Sequence, residues 1–549
     1  QSHRSQHQQH QQHQQQSDKF EYYERELLFR RNQAKRSILV KYGTDNPNFA
    51  LLNMLRDLER LDVTIENVVQ MKKESLALVE LTSSAQVRHL LENTVHFKNP
   101  NHTPYATRMI FHKSNNNRKE SFELRSFDKR NVINYEPIDQ MPKKLNLTTL
   151  TLDDQLREMY DKCAIDEAGA QLRFFVASLI EEPMSGLFKS CSCVPFGSTL
   201  NQTGANWADL DLMFSIDGFR HEQSHARSFP QSSAFKFLSN LNNKSDDDRS
   251  QAKFYLNLME FIVGSMLPGF QLTSKIMNAR VPILKFTVKR LGLSCDLSMS
   301  NMSQSFNTTK LFWLLNKLDH RVSPLVFFLR HWAKVTGVQR RSNGPNPFIS
   351  SYQLTMLAIF YLMSSPNKIL GSVDKLLEAI DEQDTRQLVQ NDQSIYLQLK
   401  EQINLRKLRQ DTAQMFKANA HLKVSDLLVG FFEFYSVPRD QIVVHLTSRQ
   451  GNPDKNDQHR FPLKIECPFN SELITSKNVT RTEVKYFQDT CLRSLKLIEK
   501  LAAKTASTKS TQGQFSDINL NELLNELNKS ERSEDNLNTT LSDELNLNY

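Results

Sequence analysis

The sequence predicts an α+β chain in three parts: a small strand-and-helix module, then a mixed-sheet domain, then a mostly helical domain. Three observations predict it. Residues 37–98 alternate short apolar strand runs with helically spaced leucines, in the order βαββα. The segment "PFGSTLNQTGANWADLDLMF" and the later "ARVPILKFTVKRLGLSCDLSMSN" read as apolar strands interrupted by lone aspartates. From Leu311 to about Ile498 the apolar runs lengthen to helical size, as in "PLVFFLRHWAKVTG" and "SYQLTMLAIFYLM". A length of 549 residues is too great for one ordinary core, so about two to four domains are expected.

Composition narrows the function classes. Hydrophobic residues make up 39% and charged residues 24%, as in a soluble globular chain. No apolar run approaches the roughly 18 residues that a membrane span needs. Six cysteines in so long a chain argue against a disulfide scaffold and for a reducing compartment. Cys191 and Cys193 lack zinc-knuckle spacing and read as ordinary residues. The net charge of +8 suits a partner that carries phosphates. The first residue is Gln, so a trimmed start is expected, with any targeting peptide absent.

Taken in order, residues 1–36 hold a Gln/His tract too poor in apolar side chains to form a core, followed by a short helix. In residues 37–98, Ser37 to Tyr42 reads as a strand. Phe49, Leu52, Leu55 and Leu58 have helical spacing. "VTIENVV" and "SLALVEL" are two more strands, and Val87, Leu90 and Leu91 mark a second helix. That order is the ferredoxin-like one shared with RNA-recognition motifs, whose central strands stack bases on aromatic rings. Here the third strand offers Leu76 and Leu78 on one face, with Ala77, Val79 and Leu81 on the other. A leucine face left open would be an apolar patch, so a homodimer through this module is expected, with RNA reading as the alternative.

Residues 99–148 are polar and read as a connector. Thr151, three before Asp154, suits a helix N-cap. Residues 149–170 and 301–505 are expected to form the helical domain, 171–300 the mixed-sheet domain, and 506–549 a flexible tail with one short helix near Leu520 to Leu527.

The chemistry concentrates in the strand "ADLDLMF". Alternation puts Asp209, Asp211 and Met213 on one face, and Leu210, Leu212 and Phe214 on the other. Adjacent carboxylates repel unless a cation lies between them, and hard divalent cations prefer such oxygen donors. Gly197 allows close backbone approach, and Ser198 can offer a hydroxyl and an N–H to a phosphate. Asp296, in the strand "SCDLSMS", supplies a third carboxylate. An isolated D-x-D also occurs in sugar-nucleotide glycosyltransferases, and a solvated strand could carry Asp296. The combination is the informative part.

Gly-Ser, D-x-D and a later single Asp resemble the DNA-polymerase-β-type nucleotidyltransferases. "FLRHWAKVTGV", "ISSYQLTMLAIFYL" and "IECPFNSELITSKNVTR" resemble the helical domain of template-independent RNA nucleotidyltransferases, the poly(A) polymerases and terminal uridylyltransferases with a poly(A)-polymerase-associated domain. The likeness covers roughly Thr149 to Lys500, and the N-terminal module makes it greatest to the mitochondrial poly(A) polymerases. It implies a nucleotidyltransferase palm followed by the helical domain, AMP transfer from ATP to RNA 3′ ends, two Mg²⁺ or Mn²⁺ ions on Asp209, Asp211 and Asp296, and a mitochondrial matrix location.

The likeness also implies nucleotide contacts. Gly197 and Ser198 match the phosphate loop, and Asn301, Asn307 and Thr308 the ribose contacts. Arg330 and Lys334 match two triphosphate-binding lysines, Ser351 a phosphate contact, and Tyr352 the ring that stacks on the base. Where uridylyltransferases read the base with Asp, Glu and His, this chain has Cys467, Asn470 and Lys477. That leans toward adenine. A uridylyltransferase, or an RNA-binding scaffold with a decayed site, remain the alternatives.

Overall fold

The computed structural model describes residues 23–43, 47–92, 107–112, 132–135, 151–188, 191–216, 248–299, 303–339, 349–373, 405–447, 461–468, 470–506 and 518–529. The expected tract at residues 1–16 lies outside them. The chain forms two compact units. One takes residues 23–141 and 165–309, the other residues 142–164 and 310–549 together with 1–22. The N-terminal module therefore shares a unit with the mixed sheet.

That unit begins with α1 (Tyr23–Lys35), β1 (Ser37–Lys41), α2 (Pro47–Glu59), β2 (Ile65–Met71), β3 (Leu76–Leu81) and α3 (Ser84–Glu92). The expected βαββα core is present, with β3 antiparallel to both β1 and β2. Two short strands from the polar connector extend it. β4 (Met109–Phe111) runs parallel to β1, and β5 (Val132–Asn134) parallel to β2, giving the order β4-β1-β3-β2-β5. A ferredoxin-like sheet is antiparallel throughout, so the likeness to an RNA-recognition motif stops at the core. Both added strands are held by backbone bonds such as Leu39 N–H to Arg108 O (2.8 Å) and Tyr135 N–H to Gln70 O (2.9 Å).

Both faces of this sheet are buried. Ala77, Val79 and Leu81 pack with Met54, Leu55 and Leu90 of the module's helices. Leu76 and Leu78 face the other way. Together with Leu39, Val69 and Met109 they join one core with Leu172, Phe175, Val176 and Leu179 of the following helix. The leucine face is therefore covered by this chain's own mixed-sheet domain. The expected homodimer therefore cannot rest on an open leucine face, because among the described residues that face is buried. Ion pairs reinforce the seam: Arg30 with Glu167, Arg31 with Glu181, and Arg108 with Glu182.

Next come α4 (Leu152–Cys163), which belongs to the helical unit, and α5 (Glu167–Met184), which backs the mixed sheet. Thr151 caps α4 by accepting from the Asp154 N–H at 3.2 Å. The sheet comprises β6 (Cys191–Pro195), β7 (Leu210–Ile216), then α6 (Asp248–Ser265), β8 (Phe270–Ile276), β9 (Ile283–Val288) and β10 (Leu293–Met299). Its order is β6-β7-β10-β9-β8, with β7 and β10 parallel and the other pairs antiparallel. This is the mixed sheet expected of a palm.

α7 (Ser303–Leu318) runs across the boundary at residue 309, and in the helical unit α8 (Val322–Val335) leads to α9 (Ser351–Ser364), α10 (Leu405–Met415) and α11 (Val424–Ser436). Three short strands follow, β11 (Ile442–Val444), β12 (Leu463–Cys467) and β13 (Asn470–Ile474), then α12 (Arg481–Ala506). Trp332 anchors the core, fully buried, tilted against Phe432 and edge-on to Phe487, and donating to Ser494 Oγ at 2.9 Å. Residues 520–529 are helical, where a short tail helix was expected. Among the described residues no helix is long and apolar enough to cross a membrane.

Candidate active site

β7 alternates as its sequence dictates. Leu210, Leu212 and Phe214 are fully buried, while Asp209 is exposed and Asp211 half-buried. β10 repeats the pattern, with Cys295 and Leu297 inward and Asp296 outward. Parallel pairing then sets Asp296 directly opposite Asp211. The next strand puts Lys285 opposite Asp296, and its Nζ donates to Asp296 Oδ2 at 2.5 Å. One row thus runs Asp211, Asp296, Lys285 across the open face of the sheet.

The loop after β6 is built around the same row. The Phe196 N–H donates to the Asp211 carbonyl at 3.0 Å, fixing the loop's start to β7. Gly197 then turns with φ +62°, a left-handed backbone that favours glycine. A Cβ there would stand 3.0 Å from Asp211 Oδ2. Residues Gly197–Thr199 make a short 3₁₀ turn, and the Gly197 N–H donates to Thr309 Oγ1 at 2.9 Å. Asn201 Oδ1 ties the loop's far side by accepting from Thr203.

The three carboxylates share a neighbourhood. Burial pushes the Cys295 thiol above its ordinary range, and the charges of Asp296, Asp209 and Asp211 push it the same way against Arg173. Among the described residues no three His, Cys, Asp or Glu side chains close around one point. The donor set still fits a divalent cation in kind. It offers hard carboxylate oxygens on adjacent strands, and the Lys285 ammonium already neutralises one of them.

A second group of expected residues lies in the helical unit. Arg330 and Lys334 share one face of α8. Burial, then the Lys334 charge, pulls His331 between them down to about 4, so it is neutral at pH 7. Ser350 caps α9 in a reciprocal box with Gln353. Ser351 Oγ accepts from Gln339 Nε2 at 3.1 Å. The half-buried Tyr352 ring lies 6.1 Å from that of Phe312. Gln353 also donates to Thr475 O and Asn478 Oδ1, which ties the start of α9 to the segment bearing the base-reading candidates. There Cys467 is buried opposite Asn470, and Lys477 is exposed.

Thr308 is buried beside Thr309 on α7. Asn301 lies outside the described residues, as does the side chain of Asn307. Sequence reasoning missed Lys285, Thr309 and Arg173. Lys285 was open to discovery, because "KFTV" alternates and an outward lysine there must face the neighbouring strand.

The central palm domain family described as "Poly(A) RNA polymerase, mitochondrial-like" matches residues 152–314. The mitochondrial poly(A) RNA polymerase of Drosophila melanogaster is 29% identical over 336 residues, 60% of this chain and 51% of that protein. The Homo sapiens protein of the same name is 27% identical over 355 residues, 64% of this chain and 56% of that one. The speckle targeted PIP5K1A-regulated poly(A) polymerase of Danio rerio is 24% identical over 522 residues, 87% of this chain and 61% of that one. The chain thus spans between half and two thirds of the length of these relatives. Its fold is that of the crystal structure of mtPAP in complex with GTP, at a TM-score of 0.69 and 22% identity, covering 92% of this chain and 99% of the other. The aspartate row, the loop that abuts it and the strand order all fall within residues 152–314, the segment that matches the central palm domain model of mitochondrial-like poly(A) RNA polymerases.

Proposed function

We propose that this chain is a template-independent polynucleotide adenylyltransferase that adds AMP from ATP to RNA 3′ ends in mitochondria. The observation that carries the reading is the in-register pair of Asp211 and Asp296, with Gly197 pressed against Asp211. The names of the relatives support it, and so does the likeness in fold to mtPAP in complex with ATPγS.

Asp209, Asp211 and Asp296 would hold Mg²⁺ or Mn²⁺, which neutralises phosphate charge and makes a 3′-hydroxyl more acidic. Ser198 offers its hydroxyl and N–H to a phosphate oxygen. Arg330 and Lys334 hold the triphosphate, Ser351 contacts a phosphate, and Asn301, Asn307 and Thr308 line the ribose. Tyr352 stacks on the base, and Cys467, Asn470 and Lys477 stand near its edge. The RNA 3′-hydroxyl gives up its proton to water, its oxygen bonds to the α-phosphorus, the bond from that phosphorus to the bridging oxygen breaks, and pyrophosphate leaves. The net charge of +8 favours RNA.

The test offers a labelled oligoribonucleotide with each nucleotide in turn, plus Mg²⁺ or Mn²⁺. A ladder with ATP is expected, and Asp211→Ala or Asp296→Ala should remove it without lowering the melting temperature. A ladder with UTP instead would make the chain a uridylyltransferase. No ladder with any nucleotide would leave an RNA-binding scaffold. Cell fractionation separates the mitochondrial location from that of the speckle-targeted relatives.

A further inference from the structure

Where the N-terminal sheet meets the palm, cations gather around one exposed ring. Leu39, Lys41, Leu76, Met109, Phe111 and Arg290 line a cleft there. Strand register brings the first five together. Lys41 of β1 pairs with Leu76 of β3 on one side and with Phe111 of β4 on the other. Alternation turns Leu39 and Met109, two residues earlier, into the core shared with α5. Lys41 and Phe111 therefore stand on that same face, at the rim of the core. Phe111 is 46% exposed, and the Arg290 guanidinium lies 5.1 Å from the centre of its ring. Arg290 comes from the palm, in the turn Lys289–Leu291 between β9 and β10. The Lys289 N–H donates to the Gly269 carbonyl at 3.0 Å, which fixes that turn.

More charge lies at the same end of the sheet. The Tyr42 N–H donates to the Ser75 carbonyl at 3.0 Å, tying the turn between β2 and β3 to the end of β1. That turn carries Lys72 and Lys73, both exposed, and Lys289 beside Arg290 is exposed as well. Lys41, Lys72, Lys73, Lys289 and Arg290 share these segments with a single acid, Glu74. A ring flanked by cations fits single-stranded RNA, whose phosphates take the charges while a base stacks on the ring. A protein partner would need a broader apolar patch, and among the described residues of these segments only Phe111 is a large exposed apolar one. The carboxylates are close along the chain: β10 starts at Leu293, and Asp296 follows three residues, roughly 10 Å, along it.

We propose that this cleft holds the body of an RNA strand whose 3′ end lies at Asp209, Asp211 and Asp296. The cations bind its phosphates, and one base packs against the Phe111–Arg290 pair. The N-terminal sheet and the palm form the site jointly, since Lys41 and Phe111 come from one and Lys289 and Arg290 from the other. The proposal rests on the reading of RNA as substrate, and its binding measurements need no adenylyl transfer.

The experiment measures binding of fluorescent oligoribonucleotides to the full chain by anisotropy, without ATP, over a range of salt concentrations. A long strand that spans active site and cleft is compared with a short one that fills the active site alone. Phe111→Ala should bind the long strand roughly tenfold more weakly, the worth of one stacked base, and Phe111→Tyr should bind it as wild type does. Arg290→Gln should lower the slope of log affinity against log salt by about 0.7, one phosphate contact on a single strand, and Arg290→Lys should keep that slope. Affinity for the short strand and the melting temperature should not change in any variant. Wild-type affinity for the long strand in both Phe111→Ala and Arg290→Gln would overturn the proposal and leave the cleft to an acidic protein segment. Equal losses for short and long strands would overturn it too, since the defect would then lie in the active site or the fold. Normal extension with ATP beside either result would leave the adenylyltransferase reading standing. Should wild type extend no RNA with any nucleotide, that reading fails, and weaker binding of the long strand by Phe111→Ala would still uphold the site.

Discussion

Gly197 shows how narrowly one residue can be specified. Its left-handed φ of +62° costs a side-chain-bearing residue about 1–2 kcal/mol. A Cβ would also meet Asp211 Oδ2 at 3.0 Å, so the carboxylate must turn aside. Gly197→Ala is therefore expected to lower the melting temperature modestly and kcat roughly tenfold, as Asp211 yields by less than the ångström that costs about 100-fold. Equal wild-type and variant rates in the extension assay would show that Asp211 does not depend on this approach. At this scale the sequence was readable where chemistry and burial conflict. A carboxylate in an apolar strand is anomalous, so Asp209, Asp211 and Asp296 stood out. Thr309 and Arg173 did not, because their partners are backbone groups far away in sequence, which no local pattern reveals.

The elements were legible in proportion to their side-chain patterning. β7 and β10 announce themselves by alternation, and α8 and α9 by length. β4 and β5, three residues each, sit in polar sequence and exist through backbone pairing with β1 and β2, so the connector read as loop. The leucine face of β3 was rightly read as buried, yet its cover was misplaced. Periodicity says that a face is apolar, and it is silent on what lies across from it. The structure puts α5 there, which yields a stability prediction. Leu78 is fully buried in the shared core, so Leu78→Ala should destabilise the palm unit by about 2–5 kcal/mol. Chemical denaturation of the full chain should show it as an earlier first transition. An unshifted midpoint would mean that the sheet is not packed on the palm in solution.

At the scale of the whole molecule, the N-terminal sheet is part of the palm's core. A chain that starts at residue 142 would expose the apolar face of α5, with Leu172, Phe175 and Leu179 uncovered. It should bind hydrophobic dyes and aggregate, and light scattering should find no clean monomer. A well-behaved, active fragment would show that the palm stands without its cover. The fold class and the mixed sheet were legible in the sequence. The joining of module and palm was not, because it depends on buried ion pairs such as Arg31 with Glu181, 150 residues apart.

α4 lies in the chain before the whole palm sheet, yet it belongs to the unit completed after it. Its Asp153 carboxylate accepts from the N–H groups of Val424 and Ser425, 271 and 272 residues later. Translation proceeds at about 5–20 residues per second, so the ribosome makes α4 roughly 15–55 s before the helix it caps exists. Until α8 is made and brings Phe327 against Tyr160, its buried face, Leu152, Leu156, Met159 and Cys163, has no helix of its own unit to pack on. Synthesis of this protein thus includes a long wait during which an apolar helix must be shielded, and chaperone supply during translation should limit its yield more than the stability of the finished fold does.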